Sequence, residues 1–220
     1  MMSMLRLRRI HDTHYSTSVA TLIYDSRNAF AARAITEDYD RVLFIDSDMV
    51  FDPDLLKRLS DDMDTGLDYV SGLFFNRKAP IKPMIYKTLN VSKAEDGTPM
   101  AVTETYTDYP RDTLFEVQGS GFGAVLIRTD LMRKVWDKYG PPFMPVPTLG
   151  EDLAFCYRAR SLGAKLYCDS RVKLGHIGSV VFDETLYTPP EESRTDMYQP
   201  EQPFAKAEHA LPDMRKQRRK

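Results

Sequence analysis

Several features that would assign this chain to a familiar class of protein are scarce. Only two of its 220 residues are cysteines, too few for a disulfide framework, and Cys156 and Cys168 are not spaced as a metal clip. No apolar run approaches the roughly 18 residues that a membrane-spanning helix needs. The formal net charge is only −2, so the chain has no global attraction to nucleic acid or anionic lipid. We therefore expect reduced thiols and, by default, a cytoplasmic location.

The composition is that of an ordinary globular domain, with 42% hydrophobic and 28% charged residues. The length allows one well-buried domain, and we do not expect a second full domain. From about residue 188 the chain turns to Pro, Glu, Gln and Lys and ends in a basic run. We predict a domain over residues 1–187 and a polar, flexible tail over residues 188–220.

Strand-like and helix-like segments alternate through the first half of the chain, which predicts an α/β domain. We expect a single Rossmann-like domain with a mixed, mainly parallel central sheet flanked by helices. Residues 19–24 read as its first short strand and residues 29–35 as an Ala-rich helix. Arg27 and Asn28 would then lie at a helix N-terminus, a natural anion site. The alternative is that Arg27 pairs with a surface carboxylate.

The segment of residues 41–51 points most directly to chemistry. Four consecutive apolar residues, 42–45, predict a buried strand, and Asp46 and Asp48 follow where that strand ends. In open α/β sheets, ligands bind beyond the carboxyl ends of strands. Carboxylate oxygens are hard ligands that suit Mg²⁺ or Mn²⁺, ions that commonly bridge to phosphate. The alternative is that the Asp-Ser-Asp sequence only makes a turn.

Three later segments carry further candidate site residues. Gly119 and Gly121 lie in a glycine-rich run, where they permit either close approach of a ligand or a kink in the sheet. Glu151 and Asp152 open a predicted helix, where acidic side chains also complement the helix dipole. His176 follows a late strand, and taken alone it fits a structural role as well as a ligand role.

Taken in order, these segments resemble the motifs of the GT-A-fold glycosyltransferases, most closely the family 2 type that includes small bacterial and phage members. The matching residues are Asp46-Ser47-Asp48, Gly119-Ser120-Gly121, Gly150-Glu151-Asp152 and Gly175-His176. The resemblance spans about residues 18–179, and the ordered set is more specific than any one member. It implies a GT-A fold and a metal-dependent transferase that moves a sugar from a UDP- or GDP-sugar to an unknown acceptor hydroxyl. Inversion is expected, although the fold also hosts retaining enzymes.

The resemblance also implies a role for each matching position. Asp48 would coordinate Mn²⁺ or Mg²⁺ on the donor diphosphate, Asp46 would hold the ribose or a metal-bound water, and His176 would complete the metal shell. Asp152 would act as the general base toward the acceptor, with Glu151 as the second catalytic carboxylate. The remaining positions would lie against the nucleotide: Arg27, Asn28, Gly119 and Gly121.

The chain departs from this family at its start, where an apolar first strand and a base-binding loop are expected. The nucleotide site would then be built differently, be completed by a partner chain or second copy, or belong to a shortened enzyme with weak activity. Three other functions remain open: a catalytically degenerate nucleotide- or glycan-binding module, a HAD-type phosphatase with Asp46 as nucleophile, and a nucleotidyltransferase. The phosphatase fits less well because Met49 follows Asp48, where such enzymes usually have Thr or Val soon after the second Asp. The nucleotidyltransferase fits less well because the Gly-rich basic loop expected near its start is not found.

Overall fold

The computed structural model of the protein describes residues 2–10, 12–18, 22–178 and 181–187. The predicted tail over residues 188–220 lies outside these residues and stays a prediction. The helices are α1 (Met2–Arg6), α2 (Ile23–Thr36), α3 (Leu55–Met63), α4 (Thr129–Tyr139) and α5 (Glu151–Ser161), with a 3₁₀ turn at Glu184–Leu186. The strands are β1 (Arg41–Ile45), β2 (Met49–Val50), β3 (Tyr69–Leu73), β4 (Ile85–Lys93), β5 (Pro99–Thr105), β6 (Leu114–Val117), β7 (Gly119–Ser120), β8 (Ala124–Arg128), β9 (Leu166–Lys173), β10 (Gly175–Ile177) and β11 (Val181–Phe182).

Five strands form the central sheet in the order β1, β8, β3, β9, β6. The pair β3 and β9 is parallel, whereas β8 runs antiparallel to β1 and β3, and β6 runs antiparallel to β9. The α/β class with a mixed sheet flanked by helices is therefore confirmed, but the expectation of mainly parallel order is wrong. β1, β3 and β9 do point the same way, and β8 inserts between β1 and β3 in the opposite direction. The order of segments along a chain does not specify which strands become neighbours.

The sheet is the middle of three layers, and β8 shows how side chains separate its two faces. Val125 and Ile127 join the core that contains α2, α4 and α5, whereas Ala124 and Leu126 join the core formed with α3. This alternation follows from the two-residue repeat of a strand. The leucines of α3 that face the sheet are all buried: Leu55, Leu56 and Leu59. Each contributes about 1.5–3 kcal/mol through burial.

Two small antiparallel sheets extend from this central layer. In one, β4 pairs with β5 in a hairpin and with β7. In the other, β10 pairs with β2 and β11. The second sheet joins the segment that follows β9 to the segment that follows β1, and it carries the candidate site.

The predicted first strand is wrong where it can be tested. Residues 19–21 lie outside the described residues, and Ile23 begins helix α2. A short apolar run fits a helix as well as a strand, and the Ala-rich segment that follows extends the helix upstream. Arg27 and Asn28 therefore lie in the second turn of α2 and not at its N-terminus. Among the described residues, no helix is both long and apolar enough to cross a membrane.

Candidate active site

The pairing of β2 with β10 brings the acidic turn and the late histidine together. Asp46 and Asp48 follow β1 in the turn that leads into β2. Met49 of β2 lies opposite His176 of β10, and Ile177 donates its backbone N–H to the Asp48 carbonyl over 2.8 Å. Two segments that are 128 positions apart in the sequence thus meet at one end of the sheet.

The Asp48 carboxylate and the His176 imidazole converge on one point. Asp48 Oδ2 lies 3.3 Å from His176 Nε2, and His176 Nδ1 lies 2.9 Å from the Phe75 carbonyl oxygen. Because a carbonyl only accepts, the hydrogen-bond pattern assigns the proton to Nδ1. In a neutral ring Nε2 then turns its lone pair toward Asp48, and two acceptors face each other. A proton or a metal ion between them stabilises such a pair.

Packing holds the histidine ring in this orientation. The Phe74 ring meets the His176 ring edge-on at 5.7 Å between centroids, and the His176 side chain is 13% exposed. Phe74 in turn packs against Gly121, where an added Cβ would come within 2.8 Å of the Phe74 ring. Gly119 packs in the same way against Leu89, also at 2.8 Å. Both glycines therefore allow close packing of these side chains, and their contact with a nucleotide stays a prediction.

Arg77 contacts the predicted metal ligand Asp48, although the sequence placed it only in a loop, residues 77–83, that was expected to line the acceptor pocket. Its Nη1 donates to Asp48 Oδ2 over 2.9 Å and to the Ile177 carbonyl oxygen over 3.2 Å. It lies in the basic turn that leaves β3, and its side chain is 48% exposed. A basic turn beside a predicted carboxylate site was the available signal, but only the tertiary structure shows which of its cations reaches Asp48.

Arg27 joins two of the predicted site residues. Its Nη2 donates to Asp46 Oδ1 over 2.7 Å, and its Nη1 donates to Glu151 Oε1. The Arg27 side chain is only 6% exposed, and the guanidinium lies 5.0 Å above the Phe122 ring. The Arg27 guanidinium is thus buried, whereas its partners Asp46 and Glu151 are 33% and 17% exposed. From within α2, Arg27 links the end of β1 to the start of α5.

The site carboxyl groups differ in how strongly their surroundings disfavour charge. Burial raises the pKa of Asp46, and the Arg27 guanidinium offsets part of that rise. The pKa of Asp152 is raised to about 6, first by burial and then by repulsion from Glu151. A hydrogen bond of 2.7 Å from the Leu153 backbone N–H to Asp152 Oδ1 acts in the opposite direction. A carboxyl group with a pKa near neutrality is suited to accept and release a proton at physiological pH.

Asn28 lies one residue after Arg27 and contacts protein on both sides of its amide. Its Oδ1 accepts from the Phe143 backbone N–H over 2.9 Å, and its Nδ2 donates to Met144 Sδ over 3.6 Å. Asn28 therefore anchors the Pro-rich loop before α5 to helix α2. Its predicted contact with a nucleotide stays a prediction.

The residues present fit a divalent cation in part. Among the described residues, no group of three or more His, Cys, Asp and Glu side chains is close enough to form a preassembled metal site. Asp48 and His176 provide one oxygen and one nitrogen ligand aimed at a common point, whereas Asp46 is held by Arg27. Mg²⁺ and Mn²⁺ are commonly bound by one or two protein side chains together with water and substrate phosphates. Two protein ligands are thus compatible with a metal that arrives with its substrate.

Comparisons with known proteins bear on the fold alone. No family model matches the sequence, and no curated protein matches it. The fold is similar to the crystal structure of A197 from STIV, with a TM-score of 0.51 and 19% sequence identity. The similarity covers 74% of this chain and 71% of that chain. At this identity, the likeness supports the α/β fold and assigns no activity.

Proposed function

We propose that this protein is a metal-dependent glycosyltransferase that moves a sugar from a nucleoside-diphosphate donor to an acceptor hydroxyl, with inversion. The observation that carries the proposal is the contact between the Asp48 carboxylate and His176 Nε2, while Nδ1 of the histidine is hydrogen-bonded to the Phe75 carbonyl. This geometry leaves one carboxylate oxygen and one imidazole nitrogen facing a shared point, as the ordered sequence motifs require. The resemblance of those motifs to the GT-A enzymes supplies the reaction class.

Asp48 and His176 would hold the Mn²⁺ or Mg²⁺ ion together with the donor diphosphate. The bound ion would supply Lewis-acid stabilisation of the charge that develops on the departing nucleoside diphosphate. His176 is oriented for this role by its hydrogen bond to Phe75 and by the Phe74 ring. Such outer contacts fix both the tautomer and the ring plane of a ligating histidine.

Asp152 would remove the proton from the acceptor hydroxyl as that oxygen attacks the anomeric carbon. Its pKa of about 6 keeps most of the group ionised at pH 7 while leaving it basic enough to accept a proton. The neighbouring carboxylates are less available, because Glu151 and Asp46 both accept hydrogen bonds from Arg27. We therefore assign Glu151 the role of positioning Arg27, and Asp46 that of holding the ribose or a metal-bound water.

Isothermal titration with UDP, GDP and ADP, each with and without Mn²⁺, tests this proposal. We expect one of the nucleotides to bind only when Mn²⁺ is present. Asp48→Asn and His176→Ala should each abolish this Mn²⁺-dependent binding. His14→Ala is the matched control, because His14 contacts Tyr39 and not the site. Nucleotide binding that is equally strong without a divalent ion would overturn the proposal.

A nucleotide-binding module without catalysis is the second candidate. β1 lies at the edge of the central sheet, next to the predicted nucleotide site. A base-binding strand is expected at this edge, and a chain without that strand could bind a nucleotide without catalysing transfer. A donor screen by mass spectrometry separates the two, because the module would bind the donor and give no transfer. Hydrolysis of a generic phosphate ester that is lost in Asp46→Asn would instead identify a HAD-type phosphatase.

The same edge of the sheet leads us to include a partner in the proposal. A second copy or another chain that pairs with β1 would complete the nucleotide site. Light scattering with and without UDP and Mn²⁺ tests for a ligand-dependent dimer. We also retain a cytoplasmic location in the proposal, since Cys156 and Cys168 are free thiols, the state that a reducing compartment maintains.

A further inference from the structure

Arg77 and a divalent cation would need the same oxygen atom of Asp48. Arg77 Nη1 lies 2.9 Å from Asp48 Oδ2, the oxygen that also lies 3.3 Å from His176 Nε2. The same Nη1 donates to the Ile177 carbonyl oxygen next to the histidine. The guanidinium thus occupies the space between the acidic turn and β10, where the proposed ligands converge.

The backbone that carries Arg77 is fixed, although its side chain is not. Asn76 closes the turn with three hydrogen bonds: its N–H donates to the Lys82 carbonyl over 3.0 Å, its Oδ1 accepts from the Lys82 N–H over 2.9 Å, and its Nδ2 donates to the Pro80 carbonyl over 3.4 Å. The Arg77 side chain is 48% exposed. A long exposed side chain on a closed turn can change partner without movement of the backbone.

The other arginine of the site cannot make such a move. Arg27 is 6% exposed and holds Asp46 and Glu151 at once, so its withdrawal would leave two carboxylates unpaired. Arg77 holds a single carboxylate that a divalent cation would neutralise in its place. A diphosphate carries more negative charge than one divalent ion balances, and a guanidinium binds phosphate oxygens well. Of these two arginines, Arg77 is therefore the one that is available to the donor.

We propose that Arg77 competes with the divalent cation for Asp48 and, once the cation is bound, turns to the donor diphosphate as a second positive ligand. This inference rests on the proposed function, because it takes the ligand to be a nucleoside diphosphate bound with a metal ion. It makes metal and donor binding mutually dependent: the ion releases Arg77 from Asp48, and the diphosphate receives it. Each ligand alone would bind weakly, and the two together strongly.

Binding of Mn²⁺ alone, measured by electron paramagnetic resonance, tests the competition. We expect Arg77→Ala to bind Mn²⁺ roughly two- to fivefold more tightly than wild type, since an exposed ion pair has to be broken in wild type only. Lys78→Ala is the matched control, because it removes the same charge from the same turn next to Arg77. Equal Mn²⁺ affinity of the two variants would overturn the competition.

Titration with UDP and GDP at saturating Mn²⁺ tests the second half. We expect Arg77→Ala to weaken binding of the preferred nucleotide by about tenfold or more, because a charge-assisted hydrogen bond is lost. Arg77→Lys should recover part of that loss but not all of it, since an ammonium group does not bind phosphate in a bidentate fork. Unchanged nucleotide affinity in Arg77→Ala would overturn the diphosphate role.

The two proposals fail in different ways. If wild type and Lys78→Ala bind neither UDP nor GDP with Mn²⁺, the proposed function fails, and the diphosphate role of Arg77 fails with it. If both bind normally and Arg77→Ala matches them in Mn²⁺ and nucleotide affinity, only the role of Arg77 is overturned.

Discussion

Arg27 and Arg171 each bridge a pair of carboxylates, in very different surroundings. Arg27 joins Asp46 to Glu151 and is 6% exposed. Arg171 joins Asp62 of α3 to Asp169 of β9 through hydrogen bonds of 2.7 and 2.8 Å, and is 48% exposed. The first cluster lies on the α2 side of the sheet, at the end of β1. The second lies on the α3 side and ties that helix to the sheet.

Both clusters also contain a carboxyl group whose pKa is raised to about 6. For Asp152 the cause is burial and then repulsion from Glu151, and for Asp62 it is burial and then the adjacent Asp169. Asp62 Oδ2 is enclosed and has no hydrogen-bond partner among the described residues, whereas Asp152 is partly exposed and interacts electrostatically with Glu151, Arg27 and Asp46 of the candidate site. A raised pKa therefore marks a candidate catalytic group only where a substrate can reach it.

The largest expected difference between the clusters is in transfer activity. We expect Asp152→Asn to lower the rate of sugar transfer by about 10²–10⁴-fold, the usual contribution of a general base, while Mn²⁺-dependent UDP or GDP binding is retained. Asp62→Asn should change the rate by less than about twofold. Transfer by Asp152→Asn at near wild-type rate would show that another group is the base.

The next difference is in stability. Arg27→Ala removes the buried guanidinium that Asp46 and Glu151 share, so we expect the free energy of unfolding to fall by about 3–5 kcal/mol. Arg171→Ala also leaves two buried carboxylates, Asp62 and Asp169, without their arginine. Because this guanidinium is half exposed and Asp62, with its pKa raised to about 6, can take up a proton, we expect a smaller loss of about 2 kcal/mol. Urea unfolding of both variants at pH 7 measures the comparison. Equal losses would mean that burial of Arg27 confers no added stability on its cluster.

The pH dependence of stability distinguishes the clusters further. Because the pKa of Asp62 is raised on folding, the folded state holds that proton to higher pH than the unfolded state. Its contribution to stability therefore falls as pH rises from about 4 to 6 and levels off above that range. Asp62→Asn should remove about 1–2 kcal/mol of this fall. Urea unfolding at pH 4.5 and pH 7 measures it.

Asp61→Asn is the control for that measurement, since Asp61 lies beside Asp62 on α3 but pairs with Lys57 at the exposed surface. Its difference in stability between the two pH values should match that of wild type. If Asp61→Asn and Asp62→Asn behave alike, the buried acidic pair is not the source of the pH dependence.

The smallest expected effect is a shift in the pH profile of transfer. The rate should rise with pH through about 6 as Asp152 loses its proton. Glu151→Gln removes the charge that repels Asp152, so we expect the midpoint to fall by roughly half a pH unit. The maximal rate of this variant should stay well above that of Asp152→Asn. An upward shift, or no shift, would contradict the assigned electrostatic role of Glu151.

Local patterns were sufficient for much of the fold and for part of the site. The apolar run before Asp46 and the leucine spacing of α3 follow from the periods of strands and helices, and both elements are present. The neighbours of each strand did not follow from these patterns, because β8 inserts antiparallel between β1 and β3. The helical start at Ile23 was missed because short apolar runs do not distinguish strand from helix.

The sequence by itself determined the α/β class and named candidate residues by their side-chain chemistry: Asp48 and His176 as metal ligands and Asp152 as a base. Those properties are set by side-chain type and by periods of two and 3.6 residues, which act over a few positions. Only the tertiary structure decided that Arg27 bridges two of the predicted carboxylates and that Arg77 holds Asp48. Arg27 lies 124 positions from Glu151, and Arg77 lies 29 from Asp48. Electrostatic pairing over such separations depends on how strands and helices pack, and no local pattern specifies that.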